Sequence, residues 1–367
     1  MRNLVQFITW PAVAGILAAA LILQWTAGQR PPAPPSAAQL VQQNPRVSFA
    51  EAVQRAIPSV VNIYTAKVVR ERIPPILEDP AYRRLLNSDN RRRERLQRSL
   101  GSGVIVSSQG LILTSGHIIA GADQILVRLH DGRTALADVV GSDADTDLAV
   151  LKIDLEDIQP ISFGNPDQAR VGDVVLAIGN PYGFGHSVSQ GIVSAVGRYG
   201  LQLSTYEDFI QTDAAINEGN SGGALIDTEG RLLGINAATF SRSREFTGIG
   251  LATPADLAMG VAQDLVAYGR VIRGWMGLDV QNIFMTGADT PSLLVTGTHP
   301  EGPAARNGIR EGDVITHIDM QPVVDGRLTM TQIALLRPGD EVELSLLRDG
   351  QPLNVDVIVG SRPPRSS

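Results

Sequence analysis

Residues 217–225 read Asn-Glu-Gly-Asn-Ser-Gly-Gly-Ala-Leu, and our prediction of the fold starts from this stretch. A serine between glycines is typical of a nucleophile, because glycine lets the backbone turn sharply and small neighbours let a substrate carbonyl approach the hydroxyl. The amides of Gly219 and Ser221 could then both point at one oxyanion. The stretch Leu225–Gly230 reads as a strand and a turn, which predicts Ser221 on a loop before a strand. An ordinary tight turn fits the same pattern, so a partner for the serine must be identified elsewhere.

A serine nucleophile needs a general base, and histidine is the common choice. The chain has five candidates, which are His117, His130, His186, His299 and His317. Of these, His117 comes at the end of the apolar stretch 111–119, whereas the others lie beside a hairpin turn, in a glycine-rich loop or near the carboxyl end. Position favours His117, although a buried structural histidine fits the same pattern.

The base needs a carboxylate that fixes its tautomer and stabilises the imidazolium. Asp143, Asp145 and Asp147 precede the apolar strand 148–153, and Asp147 directly abuts it. We therefore predict Asp147 as the third member and read Asp143 and Asp145 as solvated loop carboxylates. The order histidine, aspartate, serine is that of chymotrypsin-like double barrels.

Four motifs together resemble the HtrA family of trypsin-like serine proteases. They are Thr-Ser-Gly-His-Ile-Ile at 114–119, Asp-Thr-Asp-Leu-Ala-Val-Leu-Lys at 145–152, Ala-Ile-Gly-Asn-Pro-Tyr-Gly at 177–183 and Gly-Asn-Ser-Gly-Gly-Ala-Leu at 219–225. The resemblance implies a mainly β chain with two six-stranded barrels and the active site between them. It implies a serine endopeptidase that uses His117, Asp147 and Ser221, and no metal or organic cofactor.

Composition agrees with this class. The 367 residues suggest two or three domains, and 43% hydrophobic against 19% charged residues predicts folded cores. Glycine (37 residues) outnumbers the aromatic residues, which favours a turn-rich β protein. The chain has no cysteine, so thiol catalysis, thiolate zinc sites and disulfides are excluded. The net charge of −7 argues against a nucleic-acid-binding protein.

The amino terminus predicts a membrane anchor over residues 1–28. The 22 residues Phe7–Gly28 carry no charge, and a span needs about 20. Trp10 and Trp25 lie near the two ends, and Arg2 precedes the stretch, which favours a cytoplasmic amino end. A cleaved signal peptide is the alternative, and both interpretations export the rest of the chain. Proline-rich residues 29–47 predict an extended linker.

Residues 48–270 are assigned to the protease domain and 271–361 to a second domain, followed by a polar tail at 362–367. The helix predicted over Asp256–Tyr268 would close the protease domain. The second domain resembles a PDZ domain in its Gly-Pro-Ala-Ala stretch at 302–305 and its Gly-Ile-Arg-Glu-Gly-Asp-Val-Ile stretch at 308–315.

An arginine-rich insert stands out within the protease domain. Lys67–Leu100 holds ten basic and five acidic residues. A basic cluster can bind nucleic acid or anionic lipid. Because Tyr82 is its only aromatic residue that could stack on a base, we interpret the insert as a solvated loop between two strands.

The resemblance also implies residue roles beyond the triad. Ile216, Thr239 and Phe240 would line the primary specificity pocket and favour small aliphatic side chains. Residues of the loop that binds a peptide carboxylate in the PDZ domain would be Trp275, Met276, Gly277 and Leu278; for Trp275 a core role fits equally. Arg198 would be the regulatory sensor, although an ordinary exposed arginine is the alternative.

With a membrane anchor and one PDZ domain, the predicted domain order is similar to that of the regulatory members of the family. This similarity implies a single-pass bacterial inner-membrane protein with its protease and PDZ domains in the periplasm. C-terminal peptides of misfolded outer-membrane proteins would activate it to cut an RseA-type anti-sigma factor and start the sigma-E stress response. A homotrimer with contacts at Phe49 and Tyr64 is implied too.

Two alternatives stay open. One is a soluble quality-control protease, which usually carries a second PDZ domain, and the other is a non-proteolytic PDZ scaffold or chaperone. The chain also departs from the family pattern: Gly116 stands where Asn or Lys is usual, and Glu218 stands where regulatory members often have His. Glu218 leaves the switching of the activation loop open.

Overall fold

The computed structural model describes residues 2–28, 48–70, 94–180, 185–217, 219–239, 248–284 and 291–363. The amino-terminal segment forms one helix, α1 (Arg2–Gly28). Among the helices in these ranges, none is both long and apolar enough to cross a membrane, and the predicted anchor is therefore not confirmed. The predicted linker at 29–47 lies outside the described residues.

Six antiparallel strands close the first barrel in the order β1-β2-β3-β6-β5-β4. A short helix α2 (Ala50–Ala56) and a 3-10 turn (Ile57–Ser59) precede it, and helix α3 (Gly116–Ile119) follows its third strand. The strands are β1 (Val60–Arg70), β2 (Glu94–Ile105), β3 (Leu111–Ser115), β4 (Gln124–Arg128), β5 (Thr134–Asp143) and β6 (Leu148–Ile153).

A second closed barrel has the equivalent order β10-β11-β12-β9-β8-β7. Its strands are β7 (Val174–Gly179), β8 (Ser187–Arg198), β9 (Phe209–Thr212), β10 (Ala224–Ile226), β11 (Leu232–Thr239) and β12 (Gly250–Pro254). A 3-10 turn (Pro166–Gln168) precedes it, and helix α4 (Ala255–Tyr268) follows, one residue longer than predicted. The predicted mainly β, double-barrel architecture is confirmed.

Alternation along the strands separates the barrel cores. In β6, Leu148 and Val150 belong to an apolar cluster that joins both barrels with α2 and α4, whereas Ala149 and Leu151 belong to the core of the first barrel. This follows from the two-residue period of a strand, which sends successive side chains to opposite faces. The shared cluster fixes the two barrels against each other, and the loops at their seam are fixed with them.

The second domain is built on a separate sheet in the order β14-β15-β16-β18-β19, with β17 paired to β16. Its elements are β14 (Leu278–Phe284), β15 (Pro291–Thr298), α5 (Pro303–Arg306), β16 (Val314–Ile318), β17 (Gln321–Pro322), α6 (Gly326–Leu335), β18 (Glu341–Arg348) and β19 (Gln351–Ile358). The first and last strands, β13 (Gly274–Trp275) and β20 (Gly360–Ser361), pair with each other.

The arginine-rich insert differs at its edges from the predicted loop. The β1–β2 ladder continues without a break from Val60 paired with Val104 to Arg70 paired with Glu94. Lys67–Arg70 and Glu94–Leu100 are therefore strand, because backbone pairing in a hairpin can extend well past the barrel wall. Residues 71–93, with Tyr82, lie outside the described residues.

We expect the protease domain to be most sensitive to substitutions in the shared cluster between the two barrels. Leu148 is 1% exposed at the seam of the barrels, and Leu148→Ala should lower the free energy of unfolding by about 2–5 kcal/mol, because it removes buried methyl groups and leaves a cavity. Leu136→Ala in the same barrel is the control, since that side chain is 69% exposed. Urea denaturation measures both, and equal losses would contradict the prediction.

Candidate active site

His117 and Asp147 are in direct contact at the end of the first barrel. His117 lies in α3, just after β3, and Asp147 ends the turn between β5 and β6. Nδ1 of His117 lies 2.6 Å from Oδ2 of Asp147, and the backbone amide of His117 donates to Oδ1 at 2.8 Å. Because an ionised carboxylate only accepts hydrogen bonds, Nδ1 carries the proton and Nε2 presents its lone pair as a base.

The turn from Asp143 to Asp147 aims this carboxylate. Asp147 has a φ of 55°, in the left-handed region that few residues other than glycine adopt and that aspartate tolerates. The carbonyl of Asp147 accepts the Gly116 amide at 2.8 Å. Oδ2 of Asp143 accepts the amide of Thr146 at 3.0 Å and its hydroxyl at 2.6 Å. These bonds hold a backbone conformation that would otherwise be sparsely populated.

The loop that carries Ser221 belongs to the second barrel but packs on the first. The Ser221 carbonyl accepts the Ser102 amide at 3.0 Å. At Gly222, with a φ of 78°, an added Cβ would lie 2.2 Å from the Ser102 carbonyl oxygen and 2.5 Å from the Thr114 hydroxyl. Only glycine permits this approach, which sets the serine loop against the strand that leads to His117.

The serine hydroxyl makes no hydrogen bond among the described residues. The structure therefore joins His117 to Asp147 and places the serine loop beside their strand, but it shows no serine–histidine hydrogen bond. Such bonds are commonly long in enzymes without substrate and shorten in the reacting complex.

Two backbone amides of the serine loop are available for an oxyanion. Within the ranges that the structure describes, the amides of Gly219 and Ser221 donate to no acceptor, whereas those of Asn220, Gly222 and Gly223 all do. Gly219 has a φ of 95°, a conformation that suits glycine. An unpaired amide pair beside a serine is the arrangement of an oxyanion hole.

The specificity pocket is only partly within the described residues. Ile216 is buried in the core of the second barrel, and an added Cβ at Gly250 would lie 2.9 Å from its Cδ1. Gly250 pairs with Thr239, so Ile216 and the Thr239 backbone are close together. Phe240 lies outside the described residues, and so does Glu218. The pocket assignment therefore stays a prediction.

The second domain, predicted to be a PDZ domain, contains a groove of about 710 Å³ between β14 and α6. All four residues of the predicted carboxylate-binding loop, Trp275–Leu278, line it, as do Thr205 and Tyr206 of the protease domain. Gly277 has a φ of 75°, and its carbonyl accepts the His299 amide at 2.8 Å, which shapes the loop. Met276 is buried in the PDZ core, whereas Trp275 is half-buried with its ring edge against His299.

The strand that borders this groove ends the order of its sheet. β14 pairs with β15 on one side, and no strand among the described residues pairs with its other side. Such an edge can accept an added peptide strand. The groove thus provides the two parts of PDZ recognition, an open strand edge and a loop of backbone amides.

Two arginines at the edges of the second domain, Arg273 and Arg362, contact the catalytic turn, which is the turn Asp143–Asp147. Arg273 is 8% exposed and binds Asp143 through both terminal nitrogens, with Nη1 3.0 Å from Oδ1. Its guanidinium lies 4.7 Å from the centre of the Tyr206 ring. Arg362 contacts the Tyr206 hydroxyl at 2.5 Å and Asp145 at 3.5 Å. The Asp143 carboxylate, which stabilises the turn before Asp147, is therefore also the binding partner of Arg273.

These contacts correct the interpretation of Asp143 and Asp145 as solvated loop carboxylates. Asp143 is buried, Asp145 is half-buried, and both carboxylates bind arginines. Local sequence does not predict this role, because the arginines lie more than a hundred residues away along the chain. Arg198 is exposed on β8 and donates to Gln211 at 2.8 Å, which is a contact within the protease domain. Its sensor role stays a prediction.

Across the described ranges, no three His, Cys, Asp or Glu side chains are placed to hold a metal ion.

The comparisons with known proteins agree with this geometry. The trypsin-like peptidase domain matches residues 101–235, which include the histidine, the aspartate and the serine, and the PDZ domain matches residues 274–359. The chain is therefore a trypsin-like serine peptidase joined to a PDZ domain.

Individual relatives narrow the class to a family. The chain is 42% identical over 339 residues to a "Probable periplasmic serine endoprotease DegP-like" of Pseudomonas savastanoi pv. phaseolicola, covering 86% of this chain and 71% of that protein. A protein of Halomonas elongata with the same description is 40% identical with the same coverage.

A solved structure, "HtrA-type protease AlgW with decapeptide", is 49% identical with a TM-score of 0.71, covering 87% of this chain and all of that one. A serine endoprotease structure from Yersinia pestis is 40% identical with a TM-score of 0.61 at the same coverage. The chain belongs to the HtrA family of serine endopeptidases.

The two-point contact of Asp147 predicts a selective loss of catalysis. Asp147→Asn should lower kcat by about 10⁴-fold, because an amide can donate to the ring and so favours the wrong tautomer of His117. The measurement is peptide cleavage near neutral pH. Asp138→Asn, at an exposed position of β5, is the control and should leave kcat unchanged. Similar rates for Asp147→Asn and the native protein would refute the assignment.

Proposed function

We propose that His117, Asp147 and Ser221 form the catalytic triad of this endopeptidase. The observation that carries the proposal is the His117–Asp147 contact beside two unpaired loop amides. Ser221 attacks a peptide carbonyl while Nε2 of His117 takes the hydroxyl proton, and His117 then gives this proton to the leaving amine. Asp147 stays ionised and holds the imidazolium.

The amides of Gly219 and Ser221 stabilise the tetrahedral oxyanion, a contribution of about 3–4 kcal/mol per donor. Ile216, Thr239 and Phe240 line the primary specificity pocket in this proposal. Ile216 offers no acid to a basic side chain, which favours small aliphatic residues such as valine in the substrate.

The PDZ groove supports regulation by peptides with a free carboxyl end. Such a peptide would add to the edge of β14 and place its carboxylate on the amides of Trp275–Leu278. Because Tyr206 lines the groove and also contacts Arg273, which binds Asp143, a bound peptide lies close to contacts of the catalytic turn. A peptide activates the protease only if it binds the active state more tightly than the inactive one. Arg198 is the proposed sensor of this change.

The biological role that we propose resembles that of DegS, a membrane-anchored family member with one PDZ domain. In this role, C-terminal peptides of misfolded outer-membrane proteins activate cleavage of an RseA-type anti-sigma factor, which starts the sigma-E response. The relatives described as periplasmic endoproteases support a periplasmic location, and the related structure with a decapeptide supports peptide binding.

Attachment to the inner membrane and trimerisation are part of the same proposal. The uncharged stretch Phe7–Gly28 supports the anchor from sequence alone. Phe49 packs on the cluster between the barrels, and Tyr64 is half-buried on β1, so contacts with other copies there rest on the family resemblance. Sedimentation of the chain with membranes and the mass of the detergent-extracted particle test these two points.

The second candidate function is general protein quality control of the DegP or DegQ type, which the DegP-like descriptions of the relatives favour. Stimulation by peptides separates the two functions. A peptide ending in Tyr-x-Phe should raise cleavage of an anti-sigma-factor fragment several-fold, because it would bias the chain toward its active state. Ser221→Ala should abolish cleavage under both conditions.

Two results would contradict the proposed function of regulated proteolysis by Ser221. Equal cleavage by the Ser221→Ala and native chains would refute the proposed nucleophile and leave the PDZ scaffold as the better description. An active preparation that no such peptide stimulates would refute regulated proteolysis and favour quality control.

The interdomain ion pairs predict a second effect on regulation. Nη1 of Arg337 in the PDZ domain lies 2.7 Å from both oxygens of Asp264 in α4. Arg337→Ala should raise basal cleavage and reduce the fold-stimulation by peptide, because it removes one of the contacts between the domains and leaves the catalytic turn unchanged.

Arg348→Ala is the matched control. Arg348 binds a buried aspartate, Asp313, at the same distance of 2.7 Å, but both residues belong to the PDZ domain. If the two variants change basal cleavage equally, the effect comes from a destabilised PDZ domain and not from the interface.

A further inference from the structure

Ser102 is a fully buried residue of β2 that contacts the serine loop through both its backbone and its side chain. Its amide donates to the Ser221 carbonyl at 3.0 Å, and its hydroxyl donates to the Gly219 carbonyl at 2.6 Å. Its carbonyl accepts the Thr114 hydroxyl at 2.7 Å. One residue of the first barrel is thus bonded to two residues of the second barrel that carry the proposed chemistry.

The bond to Gly219 fixes the plane of one peptide group. The Gly219–Asn220 peptide is held at its carbonyl by the Ser102 hydroxyl and at its amide by the Asn217 carbonyl, at 2.9 Å. The Gly219 amide belongs to the preceding peptide group, which is joined to this plane only through the two backbone dihedrals of Gly219, of which φ is 95°. In the part of the chain that the structure describes, no second donor reaches the Gly219 carbonyl.

The same hydroxyl is also an acceptor. The Asn180 amide donates to Ser102 Oγ at 2.9 Å, and the Asn180 side chain accepts the Gly185 amide at 2.9 Å. The hydroxyl therefore connects Asn180, and through the Asn180 side chain also Gly185, to the serine loop. The serine hydroxyl has one O–H donor, which goes to the Gly219 carbonyl, and it accepts the Asn180 amide on a lone pair. Any other orientation of the hydroxyl hydrogen would lose the bond to Gly219.

From this geometry we propose that Ser102 is a positioning residue of the oxyanion hole. Its hydroxyl holds the Gly219–Asn220 peptide so that the Gly219 amide faces the oxyanion, and it ties that peptide to Asn180. The proposal rests on the proposed function of Gly219 and Ser221. It concerns a residue that touches neither substrate nor the reacting atoms.

Burial alone does not account for the Ser102 contacts. Ser59 is also fully buried, yet its hydroxyl has no partner among the described residues. Close to Ser102, the side-chain atoms Asn180 Nδ2 and Asn220 Oδ1 are buried without partners. The polar region behind the serine loop is therefore only partly satisfied, and a lost hydroxyl there would leave the Gly219 carbonyl and the Asn180 amide unpaired.

The test compares Ser102→Ala with Ser59→Ala in the full chain. Ser102→Ala should lower kcat about 10- to 100-fold while KM changes less than about two-fold, because a displaced oxyanion donor weakens transition-state binding but not substrate binding. The affinity for a peptide boronic acid, which forms a tetrahedral adduct on Ser221, should fall by about the same factor as kcat. Ser59→Ala should change neither quantity.

Three results would overturn the proposal: an unchanged kcat for Ser102→Ala, a loss confined to KM, or an unchanged boronic acid affinity. If Ser102→Ala does not fold, Ser102→Cys replaces the strong donor by a weak one at similar volume and should give an intermediate kcat, whereas native kcat would overturn the proposal. The native chain and Ser221→Ala run alongside. Activity in the first and none in the second establishes the proposed function independently of the Ser102 result.

Discussion

The catalytic end of the molecule depends on the carboxylate of Asp143. One of its oxygens accepts the amide and the hydroxyl of Thr146, which stabilises the tight turn that holds Asp147 in a left-handed conformation. Both of its oxygens bind Arg273, the buried arginine at the start of the PDZ domain. Because a buried carboxylate is costly without a charged partner, removing the arginine would also disturb the turn. Catalytic geometry and domain contact are thus linked through one side chain.

The two-barrel arrangement explains why these contacts occur at a seam. The apolar cluster between the barrels holds β3 and β6 of the first barrel against β7, β10 and β11 of the second. The histidine and aspartate come from the first barrel and the serine from the second, so the three residues of the proposed triad come together only when the two barrels pack against each other. Gly222 and Ser102 complete this seam, one by its lack of a side chain and the other by its hydrogen bonds.

Local patterns in the sequence predict the parts of the site that depend on local structure. The apolar strand before His117 and the glycines around Ser221 identify their residues because turn and strand preferences act over a few positions. The role of Asp143 cannot be predicted from local sequence, since its partner Arg273 lies 130 residues away. The role of Ser102 is not predictable for the same reason, because its partners Gly219 and Asn180 lie 117 and 78 residues away. The membrane anchor is predicted from composition alone, and the structure does not confirm it.

The closed barrels have a consequence for the lifetime of the enzyme. Each barrel closes by pairing strands that are distant in sequence, β1 with β4 and β7 with β10. Folds dominated by such non-local pairing form slowly, and interactions absent from the transition state make unfolding slow as well. An endopeptidase surrounded by copies of itself is exposed to autolysis, and cleavage requires a chain segment that has opened. Barrel closure would therefore protect this chain from its own activity, in a protein that has no disulfide to do so.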